Sequence, residues 1–70
     1  MKQIVTNKIY EHRKNRKVTQ EALAEAVGVT RQTIIAIEKG NYTPSVLLAI
    51  RLAQQFKTNV EEVFALEEKL

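Results

Sequence analysis

Arg31 and Gln32 are the side chains of this chain best suited to chemistry with a partner. They stand side by side directly after Thr30, a residue type that favours the N-cap of a helix. In the first turn of an exposed helix, an Arg can grip guanine O6 and N7 in bidentate fashion. A Gln can do the same to adenine N6 and N7. Ile35 and Ala36, one turn further on, are apolar groups fit for a thymine methyl; the alternative is a narrower readout resting on Arg31 and Gln32. No residue set points to catalysis. The chain has no Cys and no Asp, and His12 is its single His, better suited to a surface than to a site. No pair of Glu has a spacing that suggests acid–base work, and no Gly-rich loop could cradle a phosphate. Neither catalytic residues, metal ligands nor a cofactor are therefore expected.

The elements that must position Arg31 and Gln32 are legible around them. Thr19 is a good N-cap, and Glu21 sits near the positive end of the following helix dipole. Leu23, Ala24 and Val27 form a narrow apolar stripe, with Ala24 small where a second helix must come close. Gly28 permits the left-handed backbone that stops a helix, Val29 is the expected buried residue of the turn, and Thr30 opens the next helix. There Ile34 and Ile37 point inward, Arg31, Gln32, Ile35, Ala36 and Lys39 are left outside, and Gly40 ends the helix. Each residue alone fits an ordinary helical hairpin with a solvated face. The joint spacing over residues 19–40 fits a helix-turn-helix, which places side chains in the DNA major groove.

With Arg13, Thr19-Gln20, Leu23-Ala24, Gly28-Val29-Thr30, Arg31-Gln32-Thr33-Ile34, Ile37-Glu38, Gly40 and Pro44-Ser45, the chain resembles the phage repressor/Cro-type (xenobiotic-response-element) family. The resemblance continues through Ala49, Leu52-Ala53 and Phe56 to Val60-Glu61-Glu62-Val63-Phe64 and covers about residues 5 to 64. Within the family it is most similar to short stand-alone regulators of the cytolysin-repressor type. The resemblance implies an all-α, five-helix DNA-binding domain. It implies an internal salt bridge between Arg13 and Glu38, and a Gln20 that binds phosphate while packing on the recognition helix. Thr30, Thr33, Lys39, Asn41 and Tyr42 flank that helix as candidate phosphate donors; each fits a cap or a surface position equally well. A homodimer would read an inverted repeat of double-stranded DNA with half-sites about 34–36 Å apart. One departure stands out: members carry a Gly near position 17, and here Lys17 follows Asn15-Arg16, so Asn15 or Lys17 must take the left-handed backbone or the first helix frays.

Composition agrees. Seventy residues make one small domain, 1–70, with 44% hydrophobic and 27% charged residues and a net charge of +3. A domain this size buries only about 60% of its unfolded surface, so dimerisation would help it. No apolar run approaches the roughly 20 residues that span a bilayer. The start, Met1-Lys2-Gln3-Ile4-Val5, lacks the apolar core of a signal peptide. A cytoplasmic protein with no membrane contact is expected. Residues 1–19 hold six Lys/Arg against Glu11, while residues 61–70 hold four Glu against Lys69. Such a basic part and acidic end orient the molecule toward an anion, and the cluster Arg13-Lys14-Asn15-Arg16-Lys17 suits phosphates.

The remaining segments read as support. A first helix is expected near 6–16, with Ile4-Val5 as a short strand before it. Thr43 is the expected cap and Pro44 the first residue of a fourth helix running to about Phe56. Val46, Ala49, Leu52, Ala53 and Phe56 are its expected core stripe. Leu47, Leu48 and Ile50 make it apolar on more than one side, as in a fully buried helix or one that meets a second subunit. Asn59-Val60-Glu61-Glu62 is a capping box opening a short fifth helix. The tail 64–68 fits a strand against Ile4-Val5, within one subunit or between two. A partner-binding module such as an antitoxin is the alternative function on the same fold.

Overall fold

The computed structural model describes residues 2–69. The elements follow in the order β1 (Lys2–Asn7), α1 (Ile9–Arg16), α2 (Gln20–Val27), α3 (Arg31–Glu38), α4 (Val46–Gln55), α5 (Val60–Val63) and β2 (Phe64–Lys69). The helices enclose one core of Ile9, Leu23, Ala24, Val27, Ile34, Ile37, Leu48, Leu52, Ala53, Phe56 and Val63. α2, α3 and α4 each contribute an apolar stripe, while α1 contributes Ile9 and the short α5 Val63. Val29 is only half-buried and packs on the edge of this core, not inside it.

The strands are longer than the Ile4-Val5 pair suggests. β1 and β2 form a two-stranded antiparallel sheet within the chain, in register from Lys2 opposite Lys69 to Asn7 opposite Phe64. Asn7 anchors its base: Nδ2 donates to the Ile37 carbonyl at 2.8 Å and Oδ1 accepts from the Ile9 N–H at 3.2 Å. The strand thus takes residue 7, and α1 begins at Ile9, later than expected.

Side-chain caps define four helix starts. Thr19 accepts from the Ala22 N–H, Thr30 from Thr33, Ser45 from Leu48 and Asn59 from Glu62. The third cap corrects the expectation for α4. Ser45 caps it and Val46 is its first residue: the Ser45 hydroxyl accepts from the Leu48 N–H at 3.1 Å, and Thr43 and Pro44 stay in the preceding loop. The α4 stripe shifts accordingly. Leu48, Leu52, Ala53 and Phe56 are buried, Ala49 is half-buried, and Val46 is 76% exposed, since it lies in the first turn beyond the edge of the core. A fully buried α4 is excluded.

The first four helices end alike. One residue at the end of each turns left-handed, its N–H returns three residues back, and the next N–H returns five back. Gly28 and Gly40 do this at φ of 80° and 79°; Lys17 and Lys57 do it at 55° and 57°. Lys17, not Asn15, therefore takes the unusual angle, and α1 ends cleanly without its glycine. No helix of the described residues is long and apolar enough to cross a membrane.

Candidate nucleic-acid interface

The site begins with how α3 is held. Ile34 and Ile37 are buried on its inner side. At its C-terminal end, the Glu38 carboxylate accepts from Arg13 Nε at 2.6 Å and Nη2 at 3.1 Å, a bidentate pair whose side chains are each 9% exposed. Arg13 Nη1 donates to the Val18 carbonyl at 3.0 Å, just before the Thr19 cap of α2. One guanidinium thus ties α1, the start of α2 and α3 together. The hydrogen bonds to Glu38 raise the Arg13 pKa above its ordinary value, so its charge persists. No buried side-chain N or O among the described residues lacks a partner, which a buried pair requires if it is to hold.

With its back fixed, α3 presents a graded outer face. Arg31 and Gln32 are exposed, Thr33, Ile35 and Ala36 half-buried, and Lys39 exposed at the far end. Among the described residues, none forms a salt bridge or hydrogen bond with the side chain of Arg31 or Gln32. Arg31 instead lines an open groove of ≈ 610 Å³ with Arg13, Thr19, Gln20, Glu21 and Glu25. The starts of α2 and α3 therefore open onto one concavity.

The flanking residues fall into two groups. At the groove, Gln20 Nε2 donates to Glu38 Oε1 at 3.2 Å, which leaves its second N–H for a partner. The Thr30 and Thr33 hydroxyls lie 3.2 Å apart while Thr30 caps the helix, so one hydroxyl proton is left between them. Lys39, Asn41 and Tyr42 form the second group beyond the end of α3, all exposed.

The basic cluster before α2 divides differently from its appearance in the sequence. Arg13 lies inside. Arg16 donates from Nη2 to the Phe56 carbonyl at 2.6 Å and from Nη1 to the His12 carbonyl at 3.2 Å. It covers the end of α4 and lies 5.3 Å from the Phe56 ring centroid. Lys14 and Lys17 are exposed and hydrogen-bond through their side chains to no described residue, Lys14 having only its Nζ 5.7 Å from the Tyr10 ring centroid. His12 is likewise a connector and not a plain surface residue. Its ring stacks on Phe56 at 4.9 Å, Nε2 donates to the Glu62 carbonyl at 3.1 Å, and Nδ1 faces Arg16. The spacing of His12 and Arg16, one turn apart, places them on one face; nothing local points to a carbonyl forty residues on.

Comparison with known proteins agrees with this geometry. The helix-turn-helix model HTH_3 matches residues 9–63. An HTH-type transcriptional regulator of Methanothermobacter thermautotrophicus is 57% identical over 61 residues, covering 86% of this chain and 88% of that protein. The HTH-type transcriptional regulator YgzD of Bacillus subtilis is 52% identical over 63 residues, covering 90% and 96%. Among solved structures, the restriction-modification controller protein C.AhdI of Aeromonas hydrophila superposes with a TM-score of 0.73 at 26% identity, over 77% of this chain and 82% of that one. The clp gene regulator ClgR of Corynebacterium glutamicum gives the same TM-score at 24% identity, over 77% of this chain but only 57% of its own length; it shares the fold. The exposed first turn of α3, its fixed back and these relatives lead to one conclusion: the chain belongs to the HTH_3 helix-turn-helix family, and it is a DNA-binding HTH-type transcriptional regulator and not an enzyme.

Proposed function

We propose that the protein is a sequence-specific repressor that acts in the cytoplasm as a homodimer on an inverted-repeat operator in double-stranded DNA. The observation that carries this reading is the pair Arg31–Gln32, exposed and without partners among the described residues, on the first turn of a helix whose opposite side is fixed by the Arg13–Glu38 pair. α3 lies in the major groove. Arg31 reads a guanine, Gln32 an adenine, and Ile35 and Ala36 meet thymine methyls. Gln20 contacts phosphate at the groove shared by α2 and α3 and Thr30 and Thr33 at the start of α3, while Lys39, Asn41 and Tyr42 contact it at the other end of α3. Repression follows from occupying DNA that polymerase needs. The restriction-modification controller protein C.AhdI supports a control role of this kind.

The first test is selection of the purified protein against random duplex DNA near physiological salt. Enrichment of an inverted repeat is expected. The affinity for the selected site should fall with salt at a log–log slope of about −0.9 per phosphate neutralised. Gln20→Ala should weaken all sequences alike; a loss confined to one base position would reassign Gln20 to base reading. Selection that enriches nothing would favour the second reading, a partner-binding module such as an antitoxin, to which the exposed apolar side of α4 lends weight.

A further inference from the structure

The last two residues of α3, Ile37 and Glu38, are held in different ways. Glu38 is held by its carboxylate, which three rotatable bonds separate from the helix backbone. Ile37 is held by the backbone itself. Its carbonyl is one of the last four of the helix, which have no ordinary partner within it. It accepts from the Gly40 N–H at 2.9 Å and, across 30 residues, from Asn7 Nδ2 at 2.8 Å. Among the described residues, Asn7 is the one side chain besides the Thr30 cap that bonds to the backbone of α3. Asn7 is half-buried and fixed in turn. It is the last residue of β1, opposite Phe64, the first of β2. The next N–H, of Lys8, donates to the Val63 carbonyl at 2.8 Å. Asn7 Oδ1 accepts from the Ile9 N–H at the start of α1. One amide thus uses its oxygen and its nitrogen together, and joins the terminal sheet, α1 and the end of α3.

We propose that Asn7 is a positioning residue for base reading: its bond to the Ile37 carbonyl fixes the tilt of α3 against the terminal sheet, and through that tilt the placement of Arg31 and Gln32. This role rests on the reading of Arg31 and Gln32 as base-reading residues. The buried Ile34 and Ile37 side chains draw α3 onto the core, but apolar attraction is non-directional and leaves a short helix free to rock. The Arg13–Glu38 pair acts through two flexible side chains. A bond to a backbone carbonyl carries the helix with it. Arg31 stands six residues before Ile37, about 9 Å along the axis. A tilt of about 10° at the Ile37 end moves it by about 1.5 Å, more than a base-edge hydrogen bond accommodates. Residues 2–6 of β1 add nothing to the buried core. Their part is to hold Asn7 in place, which makes the sheet the frame of reference for a helix it does not adjoin in sequence.

The test uses the whole chain with Asn7→Asp. The carboxylate keeps an acceptor for the Ile9 N–H and sets an oxygen, in place of the donor, against the Ile37 carbonyl. The control is Arg16→Met, which loosens α1 from the end of α4 and leaves the Ile37 carbonyl held. Both are compared with the unaltered protein at a temperature where melting curves show each to be folded. Without DNA, amide hydrogen exchange should quicken at Gly40 and Asn41 in Asn7→Asp and not in Arg16→Met. On DNA, the preference for the selected site over sites altered at the bases read by Arg31 and Gln32 should fall about threefold to tenfold in Asn7→Asp, with the salt slope unchanged. In Arg16→Met that preference should stay within about twofold of the unaltered protein, as for a site remote from α3. Asn7→Ala, which removes both bonds, carries the same comparison if Asn7→Asp does not fold. Full preference in a folded Asn7 variant overturns the proposal. So does an equal loss in Arg16→Met, which would reduce the effect to stability alone. An unaltered chain that enriches no sequence would instead overturn the base-reading role of Arg31 and Gln32, and this role with it, before any variant is compared.

Discussion

Arg13 and Arg31 line the same groove, carry the same guanidinium and do opposite things. Arg13 is 8% exposed, and three of its nitrogens are hydrogen-bonded within the chain. Arg31 is exposed and pairs with no described residue. The difference lies in Glu38: α3 delivers a carboxylate to the first arginine from its C-terminal end and holds the second out from its N-terminal end. A charge already satisfied inside the protein gains little from a phosphate. A charge left unpaired on a rigid frame is available to one. The same contrast separates Arg16, tied to the Phe56 carbonyl, from Lys14 and Lys17 beside it.

The largest test of this contrast is Glu38→Ala. It leaves Arg13 buried without its partner and should cost about 3–5 kcal/mol, most of the stability of so small a domain, read as a collapse of the urea midpoint. An unchanged midpoint would break the distinction between the two arginines. Next is Arg31→Ala, which should leave stability within about 0.5 kcal/mol while removing about 1–3 kcal/mol of discrimination at one base position in the selected site. Unchanged base preference would withdraw its reading role. Arg16→Met should lower stability by about 1–2 kcal/mol through the lost bond to the end of α4, with little change in the salt slope of DNA binding. A drop of about one phosphate in that slope would return Arg16 to the DNA face.

The smallest effects concern the four helix ends. Gly28 and Gly40 occupy the left-handed position without strain, whereas Lys17 and Lys57 hold it against the clash of their Cβ atoms. Lys17→Gly and Lys57→Gly should each stabilise the fold by about 0.5–1 kcal/mol, the relief of strain exceeding the added freedom of the unfolded chain. Thermal melts that move downward would show that the lysine stems stabilise their turns by packing.

Much of the fold was legible because its signals are local. Thr19, Thr30 and Asn59 cap the helices that follow them, Gly28 stops α2 where the apolar stripe of Leu23, Ala24 and Val27 ends, and Ile34 and Ile37 mark the inner side of α3. Each depends on residues within about one helical turn. The start of α4 was misplaced for a local reason as well: Thr43-Pro44 and Ser45 are competing start signals, and Ser45 takes the cap. Arg13 and Glu38 were recognised together only through family resemblance, since nothing in their own segments joins positions 25 residues apart.

The sequence by itself determined the helix-turn-helix and the type and order of the side chains on the outer face of α3. Caps, periodicity and pattern are properties of neighbouring residues. The tertiary structure alone decided which basic groups remain available, that His12 and Arg16 close over Phe56, and that Val46, Leu47 and Ile50 stay uncovered. Those outcomes depend on carbonyls, carboxylates and core edges brought close by packing, and a partner distant in sequence leaves no mark on the residues around the charge it satisfies.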